Sequence, residues 1–308
     1  MALHNQAEEV QAEMRRAKAK LSSLIGEELP TVSIQSKAPD EAVFLGQNIS
    51  KLSPIIGNLL ERRVIHMLTE ETSAPGYRWV RQDPGFPDAL LVDKNGKSTG
   101  SGFEIKAWYA LSTEITGRFR ESARLLRDKD IKLVIIAWTM SNVVYGRPQI
   151  IDVLVANALD IADTRDAHYH NPPDYLCEEP QNTSARTQNL QQTNVNGYKL
   201  QDQHKKAALE QITNQHNCRE QPSSAEVAQA LVTELMNTAT YRLDTNFAKI
   251  DRIDHVEVEA CKARVLKSIS HGKTNAEWRK LLRQLDGDSD PLAQAEASAE
   301  ILRVYSKP

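Results

Sequence analysis

Cysteine is scarce in this chain, and the few thiols present are poorly spaced for a structural role. The three cysteines, Cys177, Cys218 and Cys261, are separated by about forty residues each. An odd total without a Cys-x-x-Cys pair indicates neither a disulfide framework nor a zinc ribbon. We therefore expect reduced thiols.

A long hydrophobic run is also absent. Nowhere in the 308 residues does an apolar stretch approach the roughly 20 residues that span a bilayer. The N-terminus has no apolar core of the kind found in signal peptides. We therefore expect a chain without a membrane partner and with a cytoplasmic location.

An excess of positive charge is the third absence. The formal net charge of -3 argues against a strongly basic nucleic-acid-binding protein. The net charge nevertheless does not show where Lys and Arg lie on the surface. The charge balance therefore weakens a nucleic-acid function without excluding it.

The first segment has apolar residues at alternating spacings of three and four, which is the rhythm of a helical seam. The seam consists of Leu3, Ala7, Val10, Met14, Ala17, Leu21 and Leu24. We predict a helix over residues 1–25 whose seam packs on the same chain, which we favour slightly, or on a partner chain. Residues 26–48 lack periodicity and are predicted to be a connector.

The region 50–163 has the pattern of a mixed sheet with helices. Ser53 and Pro54 are typical of a helix start, and an apolar stripe continues to about Glu70. Short apolar runs predict strands at residues 89–92, 103–108, 131–138 and 150–156. Asn95-Gly96 predicts a hairpin between the first two strands, and residues 117–128 are predicted to be helical. We thus expect an α/β (α+β) fold with a mixed central sheet flanked by helices.

Residues 164–204 form a polar insert, and residues 205–308 are predicted to add four or five helices. In the insert, 10 of the 23 residues from 181 to 203 are Asn or Gln. Amide and guanidinium groups suit base edges in DNA, although such a composition is also typical of a solvated loop. The candidate DNA-binding residues here are Arg186, Asn189, Gln191, Gln192, Asn194 and Lys199. Capping boxes at Ser223/Glu226 and Thr274/Glu277 indicate helix starts.

Three residues carry a pattern with chemical meaning: Asp88, Glu104 and Lys106. Glu104 and Lys106 are two apart on a predicted strand, so their side chains share one face while Ile105 points to the other. A tight hairpin can bring Asp88 beside them. Carboxylates hold Mg²⁺, which assists phosphodiester hydrolysis, and a lysine offsets negative charge in the transition state. The carbonyl of Ile105 is a further candidate metal ligand.

Pro87-Asp88, a fifteen-residue spacer across a hairpin and Glu104-Ile105-Lys106 resemble the PD-(D/E)xK nuclease superfamily, and most closely the type II restriction endonucleases within it. The resemblance covers roughly residues 50–156 and implies a restriction-endonuclease-like sheet, double-stranded DNA as substrate and Mg²⁺ as cofactor. It also implies a catalytic acidic residue on the preceding helix, which corresponds to Glu61. We expect a homodimer, since two-fold symmetry matches a palindromic duplex.

Each candidate also has a purely structural interpretation. Asp88 would then cap a turn, and Glu104 with Lys106 would form an exposed ladder. Asp83 and Asp93 are rival carboxylates for the metal. Ser112 and Thr113 either contact DNA or, as we favour, cap the next helix, and Arg118 either contacts DNA or solvates that helix.

Three functions fit these patterns. The first is a Mg²⁺-dependent type II restriction endonuclease that hydrolyses double-stranded DNA at a short specific sequence. The second is a structure-selective DNA repair nuclease, which has the same fold and hydrolyses the same bond but acts on a different substrate. The third is a non-catalytic DNA-binding or helical scaffold protein in which the Glu104 and Lys106 ladder is structural.

Overall fold

The computed structural model describes most of the chain and divides it into two compact units. The described residues are 2–35, 39–71, 74–83, 85–169, 175–178, 197–200, 241–242, 248–285 and 290–305. The first unit contains residues 1–115, 132–156 and 259–308, and the second contains residues 116–131 and 157–258.

A five-stranded mixed sheet forms the centre of the first unit. Its strands are β1 (Tyr77–Arg81), β2 (Ala89–Asp93), β3 (Ser98–Tyr109), β4 (Asp130–Asn142) and β5 (Tyr145–Asn157), and they lie side by side in chain order. β1 with β2 and β2 with β3 are antiparallel pairs. Only two residues join β4 to β5, which permits only an antiparallel pair. The parallel pair of this mixed sheet is therefore β3 with β4.

The four predicted strands are confirmed as the inner parts of β2 to β5, but β1 was missed. Only Trp79 in β1 is fully buried, and the charged Arg78 and Arg81 flank its short apolar portion. A short, charged strand is typical of a sheet edge, and for that reason its apolar pattern is too weak to predict.

Helices α1 (Ala2–Ser23), α2 (Pro39–Asn48) and α3 (Ser53–Glu71) precede the sheet. The α1 seam is buried in the core of its own chain from Val10 to Leu24, which confirms intramolecular packing. α3 is also confirmed, and it packs on β1 and β3. Its Ser53 is not an N-cap, because Ser53 has helical dihedral angles and follows a 3-10 helix at Ile49–Leu52.

The connector predicted at residues 26–48 is wrong in its second half, where α2 lies. Gly46 lowers the helical propensity of this segment, yet the glycine has a packing function. A Cβ at Gly46 would lie 2.8 Å from Leu285 Cδ1 and 3.1 Å from Ile301 Cδ1. The helix is therefore stabilised by close packing that local sequence does not show.

The C-terminal part of the first unit is helical, as predicted. It contains most of α6 (Val256–Lys267), then α7 (Asn275–Gln284) and α8 (Pro291–Tyr305). The capping box at Thr274 and Glu277 is confirmed. The box at Ser223 and Glu226 lies outside the described residues, as does most of 205–247.

The second unit contains α4 (Ala123–Leu126) and α5 (Ala158–Tyr169). The helix predicted over 117–128 is therefore mostly wrong. Phe119 N donates to Ala248 O at 2.8 Å, and Ile250 N donates to Gly117 O at 2.9 Å, so extended pairing with a distant segment replaces the first helical turns. Short strands at Tyr175–Glu178, Gly197–Leu200 and Tyr241–Arg242 form a separate sheet.

None of the helices in the described ranges combines the length and apolar character needed to traverse a bilayer.

Candidate active site

The β2–β3 hairpin brings Asp88 to Glu104. The register pairs Ala89 with Phe103 and Leu90 with Gly102, and one further step places Asp88 opposite Glu104. The far end of the hairpin closes through Gly96, whose positive φ of 78° is accessible to glycine at little cost. The predicted hairpin is confirmed.

Gly102 allows the two strands to approach closely at the site. A Cβ at this position would lie 2.5 Å from both Ala89 O and Pro87 Cγ, which is far inside van der Waals contact. The register also shifts between Leu90 and Val92, and such bulges commonly re-aim side chains near functional sites. The chain that leads into Asp88 is therefore held directly against β3.

Asp88, Glu104 and Lys106 form one cluster. Ile105 N donates to Asp88 Oδ2 at 2.6 Å, which fixes that carboxylate. Lys106 Nζ donates to Glu104 Oε1 and lies 3.8 Å from Asp88 Oδ2. The ammonium group is thus the shared counter-ion of two carboxylates.

The alternation predicted for β3 is observed. The Ile105 side chain is buried in the core, opposite the face of Glu104 and Lys106. Within a strand, the N–H and C=O of one residue point to the same side. Since Ile105 N–H is directed to Asp88, its carbonyl faces the same side of the strand.

Burial and neighbouring charges shift the pKa values of Asp88 and Lys106. Burial raises the pKa of Asp88 to about 6; Lys106 opposes this shift, and the nearby Glu104 charge adds to it. Burial lowers the pKa of Lys106, but the carboxylates of Glu104, Asp88 and Glu61 outweigh it, so that the net shift is upward. Lys106 therefore stays charged, whereas Asp88 retains its proton more readily than an ordinary aspartate.

One buried oxygen of this cluster suits a cation. Glu104 Oε2 is buried and makes no hydrogen bond within the part of the chain that the structure describes, an arrangement that is costly without a partner. Hard oxygen ligands are those that Mg²⁺ prefers. Asp88, Glu104 and the Ile105 carbonyl thus fit a divalent ion. Among the described residues no three His, Cys, Asp or Glu side chains form a metal-binding group; the predicted set has two carboxylates.

Glu61 lies at the edge of the cluster and is paired with Arg81. Arg81 Nε donates to Glu61 Oε1 at 2.8 Å. A second nitrogen of the same guanidinium, Arg81 Nη2, lies 2.9 Å from Asp83 Oδ2. The hydrogen bond that Arg81 donates to Glu61 raises the pKa of the Arg81 guanidinium. Asp83, one of the two rival carboxylates for the metal, therefore pairs with Arg81 on the solvent side of the Arg81–Glu61 ion pair.

Asp93, the other rival, closes the hairpin turn. Its Oδ1 accepts hydrogen bonds from Asn95 N at 2.8 Å and Lys97 N at 2.9 Å. These backbone donors, the bond from Lys97 foremost, lower the pKa of Asp93. Asp93 lies at the opposite end of β2 from the cluster, so its function is structural.

The predicted DNA-binding residues are spread over several regions. Ser112 Oγ lies 2.7 Å from Tyr109 O and 2.8 Å from Glu114 O, and Thr113 is exposed beside it. Neither caps the next helix, because α4 begins at Ala123 and is capped by Ser122; that interpretation is wrong. Arg118 belongs to the second unit, in a bridge with Lys249.

The remaining DNA-binding candidates are in the polar insert. Lys199 is in the short strand Gly197–Leu200, where its backbone pairs with Arg242. Five candidates lie outside the described residues: Arg186, Asn189, Gln191, Gln192 and Asn194. Their contact with DNA stays a prediction.

Two residues that shape the site were not found from the sequence, Arg81 and Gly102. Arg81 is in the missed strand β1, and its partner Glu61 is twenty residues away on a helix. Gly102 precedes Phe103 in an apolar run, where a glycine signals a bulge or a close backbone approach. That signal was present in the sequence and was overlooked.

Comparisons with protein-family models, with curated proteins and with solved structures gave no match. Chemical interpretation therefore depends on the geometry. Two adjacent carboxylates, an unpaired buried oxygen and a charged lysine are suited to binding a divalent ion beside an anionic substrate.

Proposed function

We propose that this chain is a Mg²⁺-dependent type II restriction endonuclease with a restriction-endonuclease-like sheet, acting on double-stranded DNA. The observation that supports this best is the cluster of Asp88, Glu104 and Lys106, in which Glu104 Oε2 is buried and has no hydrogen bond to any residue that the structure describes. Buried polar atoms usually have a hydrogen-bond partner, so this oxygen supports a cation site beside Asp88.

Asp88, Glu104 and the Ile105 carbonyl would hold the ion. When bound, a divalent ion supplies stabilisation of the negative charge that develops on the phosphorus oxygens. The Ile105 N–H keeps Asp88 in place, so that this ligand requires little reorganisation. Lys106, held charged by its neighbours, orients the attacking water and offsets negative charge at the reacting phosphate. Glu61 adds a third carboxylate at the edge.

A two-fold homodimer would present two such clusters to a palindromic duplex and cut both strands. Base recognition is assigned to the polar insert, whose amide and guanidinium groups match the hydrogen-bonding edges of bases. Ser112, Thr113 and Arg118 are candidates for phosphate contacts.

One digest tests the proposal. Purified full-length protein with Mg²⁺ and a sequenced plasmid should give discrete fragments whose mapped ends share one short sequence. Fragments that follow branches or mismatches instead would favour the structure-selective repair nuclease. No cleavage of any duplex, together with no binding of divalent ions, would favour the non-catalytic DNA-binding or scaffold protein and contradict the proposal.

Lys106→Met is the variant that tests the chemistry. We expect it to bind the duplex and to cleave it at least about a hundredfold more slowly, since a preorganised charge at the reacting group is lost. Lys97→Met removes a lysine from the hairpin turn, outside the cluster, and should cleave like the wild type. Equal cleavage by both variants would remove Lys106 from the mechanism.

A further inference from the structure

Arg81 makes the outermost contact of the cluster and pairs with Glu61, a carboxylate that is mostly withdrawn from solvent. The Glu61 side chain is 16% exposed, whereas Arg81 is 42% exposed and Asp83 is 60% exposed. Its contact with Glu61 is therefore the better shielded of its two ion pairs, and shielding from water strengthens an ion pair. Arg81 with Asp83 is a surface pair of small energetic value.

The Arg81–Glu61 pair is electrostatically coupled to the cluster. The charge of Glu61 contributes to the upward pKa shift of Lys106, and Asp88 contributes to that of Arg81. Two cations and three carboxylates consequently form two neighbouring groups. Arg81 pairs with Glu61, and Lys106 pairs with Asp88 and Glu104. A divalent ion that recruited Glu61 would have to displace a guanidinium group that remains charged at every accessible pH.

We propose that Arg81 is a positioning residue that occupies Glu61 as its counter-ion, so that a divalent ion is held by Asp88 and Glu104 without Glu61. This inference rests on the proposed function, because it presupposes the metal site. Glu61 then helps to keep Lys106 charged and is not a metal ligand, so we expect one divalent ion per chain. The Arg81 guanidinium neutralises Glu61, the third carboxylate, where a second metal ion would otherwise bind.

The test is a calorimetric titration of the full-length protein with Mn²⁺, without DNA. The wild type should bind one ion. Arg81→Met frees the Glu61 carboxylate, so we expect roughly tenfold tighter binding or a second ion. Arg81→Lys keeps the charge and should bind as the wild type does.

Two further variants separate this effect from a change in net charge. Arg78→Met also removes a positive charge from β1, but alternation places Arg78 on the opposite face of the strand, so the affinity should stay within about twofold of the wild type. Arg81→Met combined with Glu61→Gln should return the affinity to the wild-type value, because the carboxylate that was freed is gone.

Two results would overturn the inference while leaving the metal site intact. One is unchanged or weaker binding by Arg81→Met in a protein whose thermal unfolding shows that it is folded. The other is a large loss of affinity in Glu61→Gln alone, which would make Glu61 a ligand in the wild type. A wild type that binds no Mn²⁺ would instead overturn the proposed function, and the inference with it.

Discussion

The two ends of β2 each have an aspartate, and the two carboxylates have opposite environments. Asp93 is at the turn, where backbone N–H groups bind it and lower its pKa. Asp88 is at the other end, buried beside Glu104, with a pKa of about 6. One aspartate is stabilised as an anion by the fold, and the other is held at an energetic cost.

The contrast between the two environments assigns Asp93 a function in folding and Asp88 a function in chemistry. The backbone N–H groups of a turn need an acceptor, and the Asp93 carboxylate supplies it. The cluster end instead gathers two carboxylates around one lysine, and burial makes the charged form of Asp88 costly. An arrangement that is unfavourable without a ligand is typical of a functional site.

The largest expected effect distinguishes the two aspartates by cleavage. Asp88→Asn keeps an oxygen to accept the Ile105 N–H bond but loses the charge, so cleavage should fall at least about a thousandfold. Asp93→Asn should cleave within about twofold of the wild type, since the turn is remote from the cluster. Initial rates on one duplex measure both. Similar losses in the two variants would end the distinction between the two ends.

A second effect concerns the glycine near each end. Gly102→Ala forces a Cβ against Ala89 O and Pro87 Cγ, which should cost about 3 kcal/mol of unfolding free energy and displace Asp88. Gly96→Ala meets nothing closer than 3.9 Å but has a positive φ, so it should cost about 1 kcal/mol.

Denaturant unfolding and cleavage rates, measured on the same samples, test the glycine pair. Without denaturant, and at a temperature at which both variants are folded, only Gly102→Ala should lose cleavage. If Gly96→Ala inactivates the protein as strongly, the turn has a direct part in positioning the cluster.

The smallest effect is a dependence on pH. Asp88 must lose its proton to hold an ion, so Mn²⁺ affinity should fall about tenfold for each pH unit below its pKa of about 6. Calorimetry between pH 5 and 7.5 measures this. A constant affinity over that range would show that Asp88 is not a ligand.

The same comparison predicts opposite contributions to stability. The folded pKa of Asp88 is raised above 3.8, so its stabilising contribution is present below the ordinary pKa and is lost as the pH rises through about 6. The folded pKa of Asp93 is lowered, so its contribution is present above the ordinary pKa and is lost as the pH falls. The difference in thermal stability between the wild type and Asp88→Asn, and that between the wild type and Asp93→Asn, should change with pH in these opposite directions.

Local patterns predicted the cluster because its members are close in sequence. A turn signal at Asn95-Gly96 and the alternation of Glu104, Ile105 and Lys106 suffice to bring Asp88 beside them. The same local methods failed at α2 and over residues 117–128, where contacts distant in sequence decide the structure. Gly46 lowers the helical propensity of α2, and only the close packing of Leu285 and Ile301 against it shows why a glycine is present there.

By itself, the sequence determined the hairpin, the shared face of Glu104 and Lys106 and the seam of α1, since periodicity and turn chemistry act over a few residues. The tertiary structure alone decided that Glu61 pairs with Arg81, that Glu104 Oε2 is buried and that Asp88 holds its proton more tightly than Asp93. Burial and charge pairing depend on which elements pack together, and α3 reaches β1 only in the folded chain.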